Sequence, residues 1–314
     1  MSRVQRWRGT ADVPSDWGRC VLTIGTFDGV HRGHQQIIGR AVARAAELGV
    51  PSVVCTFDPH PLEVVRPDSH PALLSTQRYR ADLIEALGVD VVLVLPFTQA
   101  RSQQSAEEFV HEVLVGALHV SEVIVGANFR YGHRGAGDVA SLTADGRRFG
   151  FAVQGVPLVG RDSDTNWSST YVRSCVQAGD VESAASALGR EHRVEGVVVR
   201  GDQRGRDLGY PTANLEPVPH AAVPADGVYA GHLVRGGALL PAAISIGTNP
   251  TFAGDERRVE AYVLDFSGDL YGEHVALSFT ARLRSTLRFE AVDALVAQME
   301  RDVQRTRELT HPSG

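Results

Sequence analysis

The sequence has few cysteines and no pattern that pairs them. Its 314 residues include three, Cys20, Cys55 and Cys175, which lie far apart, and two of them fall inside apolar, strand-like runs. No C-x-x-C pair is present, so the usual redox and zinc motifs are missing. Because disulfides are rare in a reducing cytoplasm, this usage predicts buried thiols in a cytoplasmic protein.

Long apolar runs, repeats and positive charge are lacking as well. No apolar run approaches the ~20 residues of a membrane span, and the first residues lack the apolar stretch of a secretory signal. The sequence shows no internal repeat and no low-complexity segment. The net charge is −6, which does not favour nucleic acid as a partner. These absences predict a globular protein that binds neither membrane nor nucleic acid.

The two halves of the chain differ in their pattern of predicted strands and helices. The first half alternates apolar runs such as "CVLTIG", "PSVVCTF" and "VDVVLVLPF" with amphipathic segments, which predicts a parallel sheet covered by helices on both faces. One of these helices opens with a capping box formed by Ser105 and Glu108. Ligands of such sheets bind at the carboxyl ends of the strands.

The pattern changes near residue 185, after which short predicted strands are separated by Gly, Pro, Asn and Asp. Runs such as "RVEGVVVRGD", "GVYAGHLV" and "EAYVLDF" with few intervening helices predict an antiparallel barrel or sandwich. A final helix comes next, and we expect its apolar stripe to pack against the barrel; the stripe comprises Val292, Leu295, Val296, Met299 and Val303. The predicted domains are residues 1–184 and 185–314.

The first candidate site is the stretch "CVLTIGTFDGVHRGH", Cys20 to His34. Gly25, Gly29 and Gly33 surround His31 and His34 between a buried strand and the start of a helix. Glycines let a ligand approach the backbone, and a helix start offers free N–H groups to an anion. A lone histidine is as often an ordinary surface residue, but this context favours a nucleotide phosphate site.

Two later stretches carry matching chemistry. "GANFRYGHRGAGD" contains Asn128 and Arg130 and could equally be a solvated surface loop. "WSSTYVRSC" places Ser168, Ser169 and Thr170 before a helical turn, and Arg173 lies in that helix. Serine and threonine also serve as ordinary helix N-caps, so this second stretch has a purely structural interpretation too.

The second candidate site is "GVVVRGDQRGRDLGYPTANL". Its loop contains Gly201, Gly205 and Gly209, and Pro211 stiffens the segment after it. Thr212 and Asn214 are two residues apart, so on an extended segment both side chains face the same way. A hydroxyl and an amide oxygen side by side suit a hard cation such as Mg²⁺, although a turn satisfied by local hydrogen bonds is about as common.

These motifs together resemble the bacterial bifunctional riboflavin kinase/FAD synthetases over nearly the whole chain. "GTFDGVHRGH", "TFDPHP", "GANFRYGHRGAGD" and "SSTYVR" are similar to the FMN adenylyltransferase module, and Gly205 to Asn214 match the riboflavin kinase signature. The resemblance implies an α/β, Rossmann-like nucleotidyltransferase domain followed by a Greek-key β-barrel kinase domain with a terminal helix. It also implies phosphorylation of riboflavin to FMN and adenylylation of FMN to FAD, with ATP, riboflavin and FMN as substrates.

The resemblance also implies roles for individual residues in the adenylyltransferase. His31 and His34 are catalytic donors to the phosphoryl oxygens, and Asn128 and Arg130 lie on the flavin side. The implied ATP-binding residues of this step are Gly25, Phe27, His31, His34, Ser168, Ser169, Thr170 and Arg173.

In the kinase, Glu260 of "VEAYVLDF" is implied to be the catalytic base. Thr212 and Asn214 are implied to hold Mg²⁺ with the phosphates of ATP, and the implied ATP-binding residues are Gly201, Gly205, Gly209, Pro211, Thr212 and Asn214. Trp167 and Thr286 depart from the family pattern, and their effect is left open.

Other functions are compatible with parts of this pattern. The chain could retain one activity only, or adenylylate a different phosphorylated metabolite, but both signatures are intact. A flavin-binding regulator without turnover predicts loss of His31, His34, Thr212, Asn214 or Glu260, and all five are present. The sequence leaves open the oligomeric state, a homo-oligomer included, transfer of FMN between the sites, and the preference for Mg²⁺ over Mn²⁺.

Overall fold

The computed structural model describes residues 4–157, 159–160, 166–201, 209–251 and 254–310. The chain forms two compact units. The sheet unit comprises Met1–Pro71 and Gln77–Trp167, and the barrel unit comprises Ala72–Thr76 and Ser168–Gly314. Each is described by itself below.

The sheet unit is built on a six-stranded parallel sheet, as predicted. Its strands are β1 (Gln5–Arg8), β2 (Cys20–Ile24), β3 (Ser52–Asp58), β4 (Val91–Pro96), β5 (Val120–Gly126) and, after a short ribbon of β6 (Arg130–Tyr131) and β7 (Gly137–Asp138), β8 (Ala152–Val156). The order across the sheet is β1-β4-β3-β2-β5-β8, and each neighbouring pair is parallel. Every residue of β2 is buried, because helices cover both faces.

Helices link these strands. They are α1 (Arg32–Leu48), α2 (Pro61–Val65), α3 (Gln77–Glu85), α4 (Gln99–Gln103), α5 (Ala106–Phe109) and α6 (Val139–Phe149). Gly49 ends α1 in the left-handed conformation. The predicted capping box is present at α5, where the Ser105 side chain accepts from the Glu108 backbone N–H and Glu108 accepts from that of Ser105. A π-helix, Val110–Ala117, continues α5.

Strand order places one position of the sheet unit at a topological switch. From β2, the next two strands in the chain, β3 and β4, are added on one side of the sheet. The following strand, β5, is added on the opposite side of β2. Open α/β sheets bind ligands at the carboxyl ends of strands where the order reverses in this way. The chain leaves β2 at Gly25, so the first candidate motif begins at the switch point.

The barrel unit contains a closed, six-stranded antiparallel barrel. Its strands are β9 (His192–Val199), β10 (Ala213–Pro217), β11 (Gly227–Arg235), β12 (Ala238–Thr251), β13 (Gly254–Val263) and β14 (His274–Arg284). The order around the barrel is β10-β13-β12-β11-β14-β9. Consecutive strands β11, β12 and β13 pair in turn and β14 returns beside β11, which is the Greek-key arrangement.

One carboxylate in the barrel unit collects several hydrogen bonds. Glu191 accepts from Ser278 Oγ and Thr280 Oγ1, each at 2.6 Å, and lies 3.6 Å from His232 Nδ1. Burial acts to raise the pKa of Glu191, but the donors His232, Ser278 and Thr280 outweigh it and lower the pKa to about 2. The same contact raises the pKa of His232.

Three helices accompany the barrel: α7 (Ser169–Ala178), α8 (Val181–Leu188) and α9 (Val292–Thr310). Helix α9 contacts β11, β12 and β14, as predicted. Its apolar stripe is half-buried apart from Val292, which is 60% exposed, whereas Asp302, Thr306 and Thr310 are buried. A buried polar face is stable only if it is hydrogen-bonded. Asp302 receives hydrogen bonds from Arg284 Nε and Nη2 at 3.0 and 2.7 Å, and each threonine hydroxyl donates to a carbonyl one turn earlier.

The three cysteines are unpaired by disulfides and buried, as the sequence predicts. Burial raises the pKa of both Cys20 and Cys55 to about 12. None of the helices in the described part of the chain combines the length and apolarity needed to cross a bilayer.

Candidate functional site

The turn that comes after β2 is wound tightly in the sheet unit. Phe27 and Val30 have positive φ angles of 48° and 41°, and Gly29 has φ 78°. Non-glycine residues rarely adopt this region, and clusters of such residues mark functional turns. Phe27, Asp28 and Val30 are buried at 2%, 0% and 1% exposure. The glycine-threaded segment is therefore a fixed part of the core rather than a solvated loop.

A buried arginine holds this turn in place. Thr26 O accepts hydrogen bonds from Arg80 Nη1 at 2.9 Å and from Thr56 Oγ1 at 3.1 Å. Arg80 lies on α3 with only 3% of its surface exposed. Sequence reasoning missed it, because an arginine in an amphipathic helix reads as a surface residue. The sequence did offer one indication of its burial, since Arg80 lies four residues before Ile84 and therefore on the same buried face of α3.

The two histidines of the motif are in direct contact. The rings of His31 and His34 stack with centroids 3.6 Å apart, and Phe27 meets His34 edge-on at 5.2 Å. A Cβ built on Gly25 would lie 3.0 Å from the Phe27 ring, so this glycine gives the ring its space. The structure thus brings together Gly25, Phe27, His31 and His34 as one cluster.

This cluster lies at the N-terminus of a long helix. His31 is the N-cap residue of the 17-residue α1, and its side chain makes no capping hydrogen bond. The N-terminus of a helix carries partial positive charge and free backbone N–H groups, which favour a bound phosphate. Two imidazoles beside such a terminus can donate further hydrogen bonds to phosphoryl oxygens.

Asn128 and Arg130 lie beyond the end of β5, the neighbour of β2. Asn128 is exposed, and its Oδ1 is 3.1 Å from where a Cβ on Gly126 would stand, a position also 3.4 Å from Ile37 of α1. Arg130 is exposed and pairs with Asp138 at 3.4 Å. Asn128 therefore lies on the same side of the sheet unit as the first turns of α1, available to a ligand there.

Trp167 contacts the histidine motif within the sheet unit. The Arg32 guanidinium lies over the Trp167 ring, 5.5 Å from its centroid, within the range of a cation–π interaction. The carbonyl oxygen of Trp167 is 3.4 Å from the position of a Cβ on Gly33. This departure from the family pattern is thus packed against the H-x-G-H turn.

The serine-rich motif belongs to the barrel unit. Ser168 is the N-cap of α7, and its hydroxyl accepts from the Tyr171 backbone N–H at 3.1 Å. Ser169 and Thr170 form the first turn of that helix, and Arg173 Nε donates to Ala72 O at 2.6 Å. The structural interpretation as an N-cap is correct for Ser168, and the same geometry leaves a helix N-terminus flanked by hydroxyl groups.

The second candidate site forms on the outside of the barrel. Leu215, Val259 and Ala261 are buried in its interior, so strand alternation turns Asn214 and Glu260 outward. These two residues are directly opposed in the antiparallel pair of β10 and β13, where Cβ atoms stand about 4.5–5.5 Å apart.

Thr212 completes this group, because its Oγ1 donates to Glu260 Oε2 at 3.3 Å. The structure thus brings together three polar residues that the sequence separates widely. Hydroxyl, amide and carboxylate oxygens are the ligand types that a hard divalent cation prefers. Within the described residues, no group of three or more His, Cys, Asp or Glu side chains could hold a metal.

The glycines of this loop differ in how far the structure describes them. Gly201 packs against the amide of Asn214, because a Cβ on Gly201 would lie 2.4 Å from its atoms. Gly209 has φ +83°, which favours glycine, and Pro211 is exposed. Gly205 lies outside the described residues. Thr286, the other departure from the family pattern, is exposed after β14.

Fold and site define a two-part nucleotide-handling enzyme, with a parallel-sheet nucleotidyltransferase unit and a Greek-key barrel kinase unit. Residues 13–171 match the FAD synthetase family model and residues 188–310 match the riboflavin kinase model. The chain belongs to the bifunctional riboflavin kinase/FMN adenylyltransferase family.

Individual relatives cover almost the whole chain. The Pseudomonas fluorescens bifunctional riboflavin kinase/FMN adenylyltransferase is 40% identical over 311 residues, 99% of both chains. The Listeria monocytogenes protein of that name is 38% identical over 291 residues, 91% of each. The crystal structure of a macrolide-efflux protein from Streptococcus pneumoniae superposes with a TM-score of 0.86 at 31% identity, covering 97% of this chain and 99% of that one.

Proposed function

We propose that this chain phosphorylates riboflavin to FMN and then adenylylates FMN to FAD, using ATP in both steps. The observation that carries the proposal is the Asn214–Glu260 pairing across the barrel, with Thr212 hydrogen-bonded to the same carboxylate. The group places carboxylate, amide and hydroxyl oxygens together on one outward face of the barrel. The stacked His31–His34 pair at the switch point supports the second step.

In the kinase step, the 5′-hydroxyl of riboflavin attacks the γ-phosphorus of ATP. Glu260 accepts the proton of that hydroxyl, and ADP leaves. Thr212 donates a hydrogen bond to Glu260 and thereby keeps the carboxylate directed toward the substrate. Gly201 holds the Asn214 amide close to the backbone, which fixes the orientation of its oxygen.

The residues of this group fit a divalent cation, and Mg²⁺ is the ion that we propose. Thr212 and Asn214 would hold it, and when bound it neutralises the charge of the ATP phosphates. Gly201 leaves room for the Asn214 amide, and Gly209 adopts a positive φ angle that favours glycine.

In the adenylyltransferase step, a phosphate oxygen of FMN attacks the α-phosphorus of ATP. The bond to the β-phosphate breaks and pyrophosphate leaves, so that no covalent enzyme intermediate forms. His31 and His34 donate hydrogen bonds to the phosphoryl oxygens as charge develops on them. Asn128 positions the flavin nucleotide, with Arg130 nearby. The triphosphate is held by Ser168, Ser169, Thr170 and Arg173.

Crossed variants of the full chain test this assignment. We expect His31→Ala to suppress FAD formation from FMN and to leave riboflavin phosphorylation intact. Glu260→Gln and Asn214→Ala are expected to do the reverse. Each variant carries its own control, because the untouched activity reports that the protein is folded. Equal loss of both activities in a folded variant contradicts the assignment of two separate sites.

The chain also has a proposed division into two domains. The FAD synthetase model ends at residue 171 and the riboflavin kinase model begins at residue 188, so a boundary at 184/185 lies between them. Helices α7 and α8 belong to the same compact unit as the barrel. We propose 1–184 and 185–314 as the evolutionary domains, which need not coincide with the compact units. We also propose a cytoplasmic location, and size-exclusion chromatography of the purified chain tests whether it forms a homo-oligomer.

A further inference from the structure

Helix α7 carries the proposed triphosphate-binding motif at its N-terminus, and its other end is held by a strand of the kinase barrel. Arg282 of β14 donates from Nη1 to Ala178 O, the last residue of α7, at 3.2 Å. Its Nη2 donates to Asp226 O at 2.8 Å, just before β11 begins. One guanidinium therefore ties the C-terminus of α7 to the start of a barrel strand.

The surroundings of Arg282 are shaped to admit its side chain. A Cβ on Gly179 would lie 3.1 Å from Arg282 Cζ and 2.7 Å from Tyr229 Oη, and a Cβ on Gly227 would lie 3.1 Å from Arg282 Nε. The guanidinium also lies over the Tyr229 ring, 5.9 Å from its centroid. Two glycines and an aromatic face thus enclose the arginine at the point where α7 ends.

The backbone around Arg282 is also adapted to this contact. The register of β11 and β14 shifts between Val228 and Tyr229, so that Arg282 pairs with Tyr229 and Arg284 pairs with Val228. Such bulges re-aim side chains at sites where a regular strand would not. In addition, the Arg282 backbone N–H donates to Glu182 of α8 at 3.2 Å, which fixes the helix next to α7 in the chain.

The remaining length of α7 is attached to the same unit. Ala225 N–H donates to Val176 O at 3.2 Å, and Tyr229 Oη donates to Ala225 O at 2.6 Å. Near the motif, Arg173 Nε donates to Ala72 O at 2.6 Å. The segment of Ala72 is itself bonded to the barrel unit through Leu73, which pairs with residues 220–222.

We propose that Arg282 is a positioning residue for FAD synthesis, although it lies on a strand of the riboflavin kinase barrel. It fixes the C-terminal end of α7, and the stiffness of the helix carries that orientation to Ser168, Ser169 and Thr170 at the other end. The inference rests on the proposed role of those residues in binding the triphosphate. It predicts that a substitution of Arg282 in the kinase barrel impairs FAD synthesis and leaves riboflavin phosphorylation largely unchanged.

The test uses full-length variants assayed for both reactions. Arg282→Met keeps the side-chain volume and removes the donors to Ala178 and Asp226. We expect the KM for ATP in FAD synthesis to rise roughly tenfold, since displaced hydroxyl groups bind the triphosphate less well and the loss of one hydrogen bond costs about this factor. Riboflavin phosphorylation should change less than about twofold, and Arg282→Lys should restore part of the loss because a single ammonium donor replaces the fork.

A matched control is Arg235→Met, which removes an arginine from β11 that pairs with Glu273 at the barrel surface. It should leave the KM for ATP in both reactions unchanged. An equal fall in both activities of folded Arg282→Met, or no change in either, overturns the inference. If that variant does not fold, Arg282→Lys decides by the same two readouts. Ser169→Ala separates the two proposals, because unimpaired FAD synthesis in this variant contradicts the role of the motif itself.

Discussion

Gly33 offers a sharp test of the histidine cluster, because adding one methyl group there presses on His31. A Cβ on Gly33 would lie 3.1 Å from His31 Cε1, 3.2 Å from Nδ1 and 3.4 Å from the Trp167 carbonyl oxygen. Carbon atoms attract at about 3.5–4.0 Å, so the imidazole must move by a few tenths of an ångström. Because His31 stacks on His34 at 3.6 Å, the second ring is displaced as well.

The displacement sets the size of the effect. A misplacement of about 1 Å can lower catalysis roughly 100-fold, so a few tenths of an ångström should lower kcat/KM for FAD formation by about 3- to 10-fold. Gly39 provides the control within the same helix, since a Cβ there has no atom within 4 Å. Gly39→Ala should stabilise the protein by ~0.5–1 kcal/mol and leave both activities unchanged.

The assay measures FAD formation from FMN and ATP under single-turnover conditions, with riboflavin phosphorylation measured on the same preparations. Thermal unfolding of both alanine variants reports whether the fold is intact. The reasoning is refuted if folded Gly33→Ala makes FAD at the wild-type rate. A fall of both activities by the same factor also refutes it, because the barrel site contains no residue of α1.

Two further predictions concern a half-buried carboxylate and a buried arginine. The pKa of Glu191 is lowered to about 2 in the folded protein, so its contribution to stability is present above about pH 4.5 and is lost between pH 4.5 and pH 2. After allowance for solvent screening, this contribution to the free energy of unfolding is roughly 1–2 kcal/mol. The loss of stability between pH 4.5 and pH 2 should be smaller by this amount in Glu191→Gln. An acid unfolding curve of the variant that matches the wild type contradicts the assignment. Arg80→Met removes the charged donor to Thr26 O, and denaturant unfolding should show a loss of about 1.5–3 kcal/mol together with slower FAD synthesis. Wild-type values for both properties would contradict a role of Arg80 in holding the turn.

Much of the fold is determined by patterns that are local in the sequence. The Ser105–Glu108 capping box and the stop at Gly49 are decided by contacts within one helical turn, and the structure contains both. Closure of the barrel is different, since the pairing of Asn214 with Glu260 joins strands far apart in the chain. Alternation predicts which way each side chain faces, but not which strands become neighbours.

The sequence also misplaced one residue for a physical reason. Apolar spacing in α9 suggested that Val292 would be buried, whereas the buried face carries Asp302, whose charge is matched by Arg284. Helical periodicity cannot indicate that Asp302 has a partner, because Arg284 lies on β14 and not on the helix. Helical periodicity also does not show which compact unit α7 joins, because the anchoring residue Arg282 lies near the C-terminal end of β14.

The most direct measurement of the central claim is a product time course. The purified chain is incubated with riboflavin, ATP and Mg²⁺, and flavins and nucleotides are separated by chromatography. Two distinct ATP-using sites predict that FMN appears before FAD, and that each FAD is accompanied by one ADP and one pyrophosphate. Riboflavin that stays unmodified, or FMN that accumulates with no pyrophosphate released, would contradict the account.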